Sequence, residues 1–290
     1  MNEDVTEPPV APEAEVKMTI WEHLGELRSR VMRAAIGLGI GVAGCWAFRE
    51  RLLAWLIVPY EKAWIARHME GKPELQTLSP ADVFLGYMQL SLVGGIVVAI
   101  PIIFYQLWAF ISPGLYAREK RFIFPFVALS SMLFLSGIAF AYYVFFPFTF
   151  DYFFSLLGKV GDTTAQLTQR PTLEYYLDFM TRLLLVFGAM FEMPLFITFL
   201  AIAGIVNTRQ LIRFSRWAIV GAFILGAVIT PGGEVLTQSM VSGALIALYF
   251  LSILLSLIFG KKAPPEPPEE APKKKKKKKK APVETEAAAD

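Results

Sequence analysis

Histidine and cysteine are nearly missing from this sequence: 290 residues hold two of the first and one of the second. A single cysteine excludes a disulfide framework. Cys45 lies inside an apolar run and reads as a small buried hydrophobe. His23 and His68 stand forty-five residues apart in different regions, too far in sequence to suggest a metal-ligand cluster. No nucleotide loop and no nucleophile–base motif accompanies them, so the expectation is no enzyme and no cofactor. Charge is also thin, at 18% of residues with a net +3, and nothing points to a nucleic-acid partner. A cleavable signal peptide is not expected, because the leader EDVTEPPVAPEAE is acidic and Pro-bearing and the first apolar run has no small-residue cleavage site behind it.

Apolar surface is what the chain has in excess, with 55% hydrophobic residues and a mean hydropathy of +0.49. It gathers into runs long enough to cross about 30 Å of hydrocarbon at about 1.5 Å per residue. Six runs are predicted, at about 31–48, 83–105, 122–146, 177–206, 217–229 and 236–259. The expected fold class is therefore all-α, a polytopic membrane protein of six transmembrane helices. The fifth run is only about thirteen residues long, short for a crossing, and Thr230-Pro231-Gly232-Gly233-Glu234 joins it to the sixth as a tight turn. A spanning hairpin is preferred to a re-entrant one, because basic segments flank the pair on both sides. An amphipathic segment at 18–30 precedes the first run, with Thr19 and Glu22 spaced as a capping box. Residues 1–17 and the Lys-rich 261–290 read as disordered tails around a membrane domain at 18–260.

Lysine and arginine predict orientation. Twenty of them fall on the side of the two termini and eight on the other, which places both termini in the cytoplasm. Eight consecutive lysines in the tail would be drawn to an anionic leaflet. The outside loops, about 49–82 and 147–176, are long and aromatic-rich, suited to caps that lie against the membrane. Paired small residues such as Gly37 with Gly41, Gly94 with Gly95, and Ser130 with Ser131, together with Gly221, predict close helix contacts.

Three acids stand out. Glu192 sits in the middle of an apolar run, where an ionisable group is costly and marks a cavity, relay or partner contact unless it serves only packing. Pro194 two residues on predicts a helix disturbance at the same depth. Glu26 in HLGELRSR and Glu119 in YAREKR are each ordinary solvated charges alone. On the same membrane face they offer two carboxylates, each able to accept the paired bonds of a guanidinium.

Taken in order, HLGELRSR at 23–30, VPY at 58–60, YQLWAFISPGLYAREKR at 105–121, GIAFAYYVFFP at 137–147, FEMP at 191–194 and VGAFILGAVITPGGEVLTQ at 220–238 resemble the TatC family. The resemblance covers about residues 18–260 and implies a cup-shaped bundle in the bacterial inner membrane. It implies a receptor for twin-arginine signal peptides of folded passengers, working with the single-span subunits TatA and TatB in an oligomeric complex driven by the proton-motive force. By the same resemblance Glu26 and Glu119 engage the signal-peptide arginines, with Arg28, Phe110 and Arg121 shaping the site. Glu192 is implied to face the concave cavity, Thr230 and Gln238 to sit where partner helices dock, and Pro59 to belong to an outside cap. Glu234 stands where many relatives carry Asp. The alternative is a proton-coupled small-solute transporter using Glu192 as its relay. That reading calls for inverted repeats and several midplane polar residues, and neither is evident.

Overall fold

Proline and glycine placement explains most of the helix boundaries. The computed structural model describes residues 20–111, 123–159, 166–230 and 234–260; the expectations for both tails and for the Thr19 cap fall outside them. Helix α1 (Ile20–Ala47) is continuous, so the amphipathic segment and the first apolar run form one rod with no proline inside it. Arg49 ends that rod: Nη1 donates to the Trp46 carbonyl at 3.1 Å and the guanidinium lies 5.2 Å from the Trp46 ring centroid. A cation on the last carbonyls favours a helix C-terminus. Helix α2 (Arg49–Ala66) then turns away by 79°.

Helix α3 (Pro80–Ile111) starts where the Asp82 carboxylate accepts from the Leu78 and Ser79 backbone N–H groups at 2.9 and 2.7 Å. Helix α4 (Ile123–Phe140) passes through a π-helical stretch, Ala141–Phe145, into α5 (Phe146–Ser155). The widened turn directly precedes Pro147, whose ring would collide with the preceding turn of a regular helix. A two-residue antiparallel ladder pairs β1 (Gly158–Lys159) with β2 (Gln166–Leu167). Helices α6 (Leu173–Phe191) and α7 (Met193–Ile202) are separated at Glu192, and α8 (Thr208–Ile229) and α9 (Val235–Phe259) form a hairpin.

Five segments are long and apolar enough to cross a bilayer: Pro80–Ile111, Phe124–Ser155, Leu173–Ile202, Thr208–Ile229 and Val235–Phe259. The bent pair α1–α2 makes six when it counts as one span. The helix of the fifth crossing is longer than its apolar run, at 22 residues against the thirteen read from sequence. Asn207 and Gln210 form a capping box that starts it nine residues before Trp217, across Arg209, Arg213 and Arg216. The helix thus carries a basic first half that hydropathy alone assigns to a loop.

Close helix contacts run through glycines. A Cβ on Gly95 would stand 2.6–2.8 Å from Val42 of α1, and one on Gly188 2.7 Å from the Phe134 ring. The first is a short backbone separation of the kind small residues permit in lipid, and the second leaves room for an aromatic ring against the helix. Gly221, expected to serve the same purpose, has nothing within 4 Å of its Cβ position.

The aromatic loops are caps with regular structure of their own. Pro59 is buried inside α2 and brings no N–H to the Trp55 carbonyl four residues back. Tyr142 supplies the missing donor, its hydroxyl bonding that carbonyl at 2.7 Å while its ring stacks on Trp55 with centroids 4.0 Å apart. Next to it the Tyr176 hydroxyl donates to the Leu56 carbonyl at 2.8 Å. Arg67 at the end of α2 forks onto Asp151 of α5, with Nη2 2.6 Å from Oδ2. The core beneath is built from Tyr60, Phe145, Phe146, Phe150, Leu177 and Phe187, all nearly inaccessible.

Two outcomes are expected in thermal unfolding of detergent-solubilised protein. Gly95→Leu lowers stability by about 3 kcal/mol through overpacking while Gly221→Ala is neutral, and equal behaviour of the two refutes the close-contact account. Tyr142→Phe costs about 1–2 kcal/mol, and Pro59→Ala recovers part of that loss in its background because alanine restores a helical N–H to the Trp55 carbonyl.

Candidate functional site

Glu26 lies about one and a half turns into α1, on a half-buried part of its surface. Arg30, one turn later, grips one carboxylate oxygen: its Nε donates to Oε1 at 2.9 Å and Nη2 binds the same atom. The i,i+4 spacing with the acid first is the stabilising order on a helix. The other oxygen, Oε2, is buried and has no hydrogen-bond partner among the described residues. A shielded carboxylate oxygen left open is an acceptor held ready for a further donor.

His23, three residues before Glu26, stacks its ring on Phe110 with centroids 4.4 Å apart and planes 19° from parallel. Phe110, singled out from sequence, thus joins the end of α3 to the start of α1 through His23, one turn before Glu26. Arg28 is exposed on the same stretch, and no ion pair is formed by it among the described residues. Glu119 and Arg121 lie outside the described residues.

Glu192 occupies the break between α6 and α7. Its N–H bonds the Ala189 carbonyl at 3.2 Å, its carbonyl accepts from Phe196 at 3.0 Å, and Pro194 sets the new helix start. The disturbance expected from Pro194 is thus present. The side chain is half-buried, and its carboxyl group faces the Ser130 side chain and the Phe134 backbone of α4. Ser130 Oγ in turn accepts from Trp108 Nε1 of α3 at 2.9 Å. Three spans meet through these polar groups, and Glu192 Oε1 is buried with no hydrogen-bond partner among the described residues. Trp108 and Ser130 carried no signal of this in the sequence, since each is an ordinary residue until the fold places it beside the acid.

Thr230 closes the last turn of α8, and Gln238 ties α9 back to α8. The Thr230 hydroxyl, buried, donates to the Gly226 carbonyl at 2.7 Å, and Gln238 Nε2 donates across to the Phe223 carbonyl at 3.1 Å. Ser242 adds a bond to the Ala222 carbonyl at 3.1 Å. Pro59 sits in the cap at the opposite end of α1 from Glu26. No group of three or more His, Cys, Asp or Glu side chains suited to a metal ion occurs among the described residues.

Comparison with known proteins gives a consistent answer. The family described as Sec-independent protein translocase protein (TatC) matches residues 22–243. The Sec-independent protein translocase protein TatC of Desulforapulum autotrophicum is 40% identical over 248 residues, which cover 86% of this chain and 87% of that one. That of Koribacter versatilis is 34% identical over 244 residues, covering 84% and 87%. A crystal structure of the twin arginine translocase receptor TatC superposes with a TM-score of 0.70 at 34% identity, over 82% of this chain and 99% of that one. None of these likenesses leads to a small-solute transporter. A helical membrane bundle, family motifs in order and matches that span most of both chains leave one assignment: this chain belongs to the TatC family, a multi-pass component of twin-arginine protein transport and not an enzyme.

Proposed function

We propose that this chain is the core receptor subunit of a twin-arginine translocase, binding paired-arginine signal peptides at the end of the bundle where α1 begins. The observation that carries the reading is the Glu26 carboxylate, with one oxygen gripped by Arg30 and the other buried without a hydrogen-bond partner among the described residues, one turn after the His23 that stacks on Phe110. A guanidinium of an incoming peptide fits that open oxygen, and a planar fork fits better than a lysine ammonium. Glu119 supplies the second carboxylate, with Arg28, Phe110 and Arg121 as the surrounding contacts. The peptide's apolar stretch runs on along the spans toward Glu192.

The twenty basic residues on the side of the two termini support an N-in, C-in arrangement in a bacterial inner membrane. Single-span partners of the TatA and TatB kind dock on the α8–α9 hairpin, whose geometry Thr230 and Gln238 maintain. Passage of a folded passenger is then driven by the proton-motive force, with no nucleotide.

Photo-crosslinking of a signal peptide to membranes holding the full chain tests the assignment. Glu26→Ala with Glu119→Ala is expected to lower crosslinking tenfold or more, on the order of one lost charge-assisted pair, with membrane insertion intact. A twin-lysine peptide is expected to crosslink weakly to the parent. Unchanged crosslinking in the double variant refutes the location.

A further inference from the structure

The least covered span in the bundle is α8. Only 11% of its apolar window is buried, against 33–44% in the other four spans of sufficient length. Its covered face is defined by Leu211, Ala222 and Gly226, with the Tyr249 hydroxyl of α9 donating to the Leu211 carbonyl at 2.8 Å. At about 100° per residue, Arg209, Arg213 and Arg216 fall within a stripe about 60° wide, roughly opposite that face. Trp217, Gln210 and Phe214 follow on the adjoining stripe. Between the two stripes lies a groove of about 670 Å³, with Arg213 and Arg216 on its polar edge and Phe214 and Trp217 on its apolar one. Both aromatic side chains are exposed, Trp217 at 64%.

Among the described residues no acid is paired with these cations. Helix α8 carries no Asp or Glu, and neither does α9, the helix packed against it. Like charges three and four residues apart on a helix repel one another, so an anion seated there relieves a standing cost. Gln210 uses its carbonyl oxygen to cap Asn207 at 3.0 Å, which leaves its amide N–H groups to donate. An exposed tryptophan and phenylalanine one turn beyond are the side chains that settle at the headgroup level of a bilayer.

We propose that the first half of α8 is a binding site for the phosphate headgroup of an anionic phospholipid, held by Arg213, Arg216 and Gln210, with acyl chains lying over Phe214 and Trp217. The site lies at the opposite end of α8 from Thr230, so it leaves the turn of the hairpin free. Basic pockets at the ends of membrane helices recognise such headgroups by the same combination of charge and apolar wall.

Native mass spectrometry of the full chain, purified and delipidated in detergent, tests this. Phosphatidylglycerol is offered against phosphatidylcholine and against inorganic phosphate. The parent is expected to retain phosphatidylglycerol over phosphatidylcholine, and R213Q/R216Q to lose retention by about fivefold per cation removed. Circular dichroism checks that the variant is folded. If the pair does not fold, the single variants R213Q and R216Q carry the test, each with about a fivefold loss expected. Equal retention by parent and variant overturns the proposal, as does equal retention of the two lipids. Protection of the parent by inorganic phosphate as strong as by phosphatidylglycerol overturns the lipid as its source. Full lipid retention in the variant with loss of a co-purifying single-span protein makes the face a protein surface, and also overturns it.

Discussion

Inside a bilayer a backbone carbonyl without a partner has no water to turn to, and most of this structure follows from that constraint. Prolines break the hydrogen-bond ladder at three telling places in a chain otherwise built from long rods. Pro59 leaves the Trp55 carbonyl open, and Tyr142 reaches it from another helix. Pro147 is preceded by a π-helical stretch that loosens the ladder before the ring arrives. Pro194 divides one span into α6 and α7 and places Glu192 at the joint. Each repair ties the interrupted helix to a neighbour or changes its course, so the breaks give the bundle its architecture.

Packing obeys the same economy of polar groups. Helices approach closely where glycine removes the side chain, as at Gly95 and Gly188, and in the gaps that remain hydroxyls bond to carbonyls of their own helix or the next. Ser91, Thr181, Thr198 and Ser252 all return their protons to the carbonyl four residues back. Against that background an unsatisfied buried oxygen is conspicuous. Among the described residues six side-chain oxygens are buried without a partner, and the two carboxylate oxygens among them belong to Glu26 and Glu192, at the start of α1 and at the α6–α7 joint. A carboxylate oxygen in that position is an acceptor available to a further charged donor.

The two ends of the bundle divide the work. At one end, α2 and α5 form an aromatic cap held by the Tyr142 and Tyr176 hydroxyls and by the Arg67–Asp151 fork. At the other, α1 meets α3 where His23 stacks on Phe110, and α8 begins with three arginines that form no ion pair among the described residues. A rigid cap at one end and charged, open groups at the other suit a scaffold that receives a charged segment without rebuilding its core.

Local composition was enough to set the helical membrane class, the positions of the apolar runs, the break before Pro194 and the acids at 26 and 192. Hydrophobic length and proline chemistry act wherever the chain is placed, so these features were legible before any fold was known. The rest came from the assembled fold. The fifth helix outran its apolar run because a capping box set its start, and hydropathy does not see caps. Parts of the outside loops are helices, α2 and α5, whose aromatics share one core. Gly95 proved to be a contact and Gly221 did not, although both are glycines in apolar runs. Trp108 and Ser130 joined Glu192, and Tyr142 joined Trp55, across gaps in sequence that no local pattern encodes. Which polar groups meet in lipid depends on which helices are neighbours, and that is a property of the assembled bundle alone.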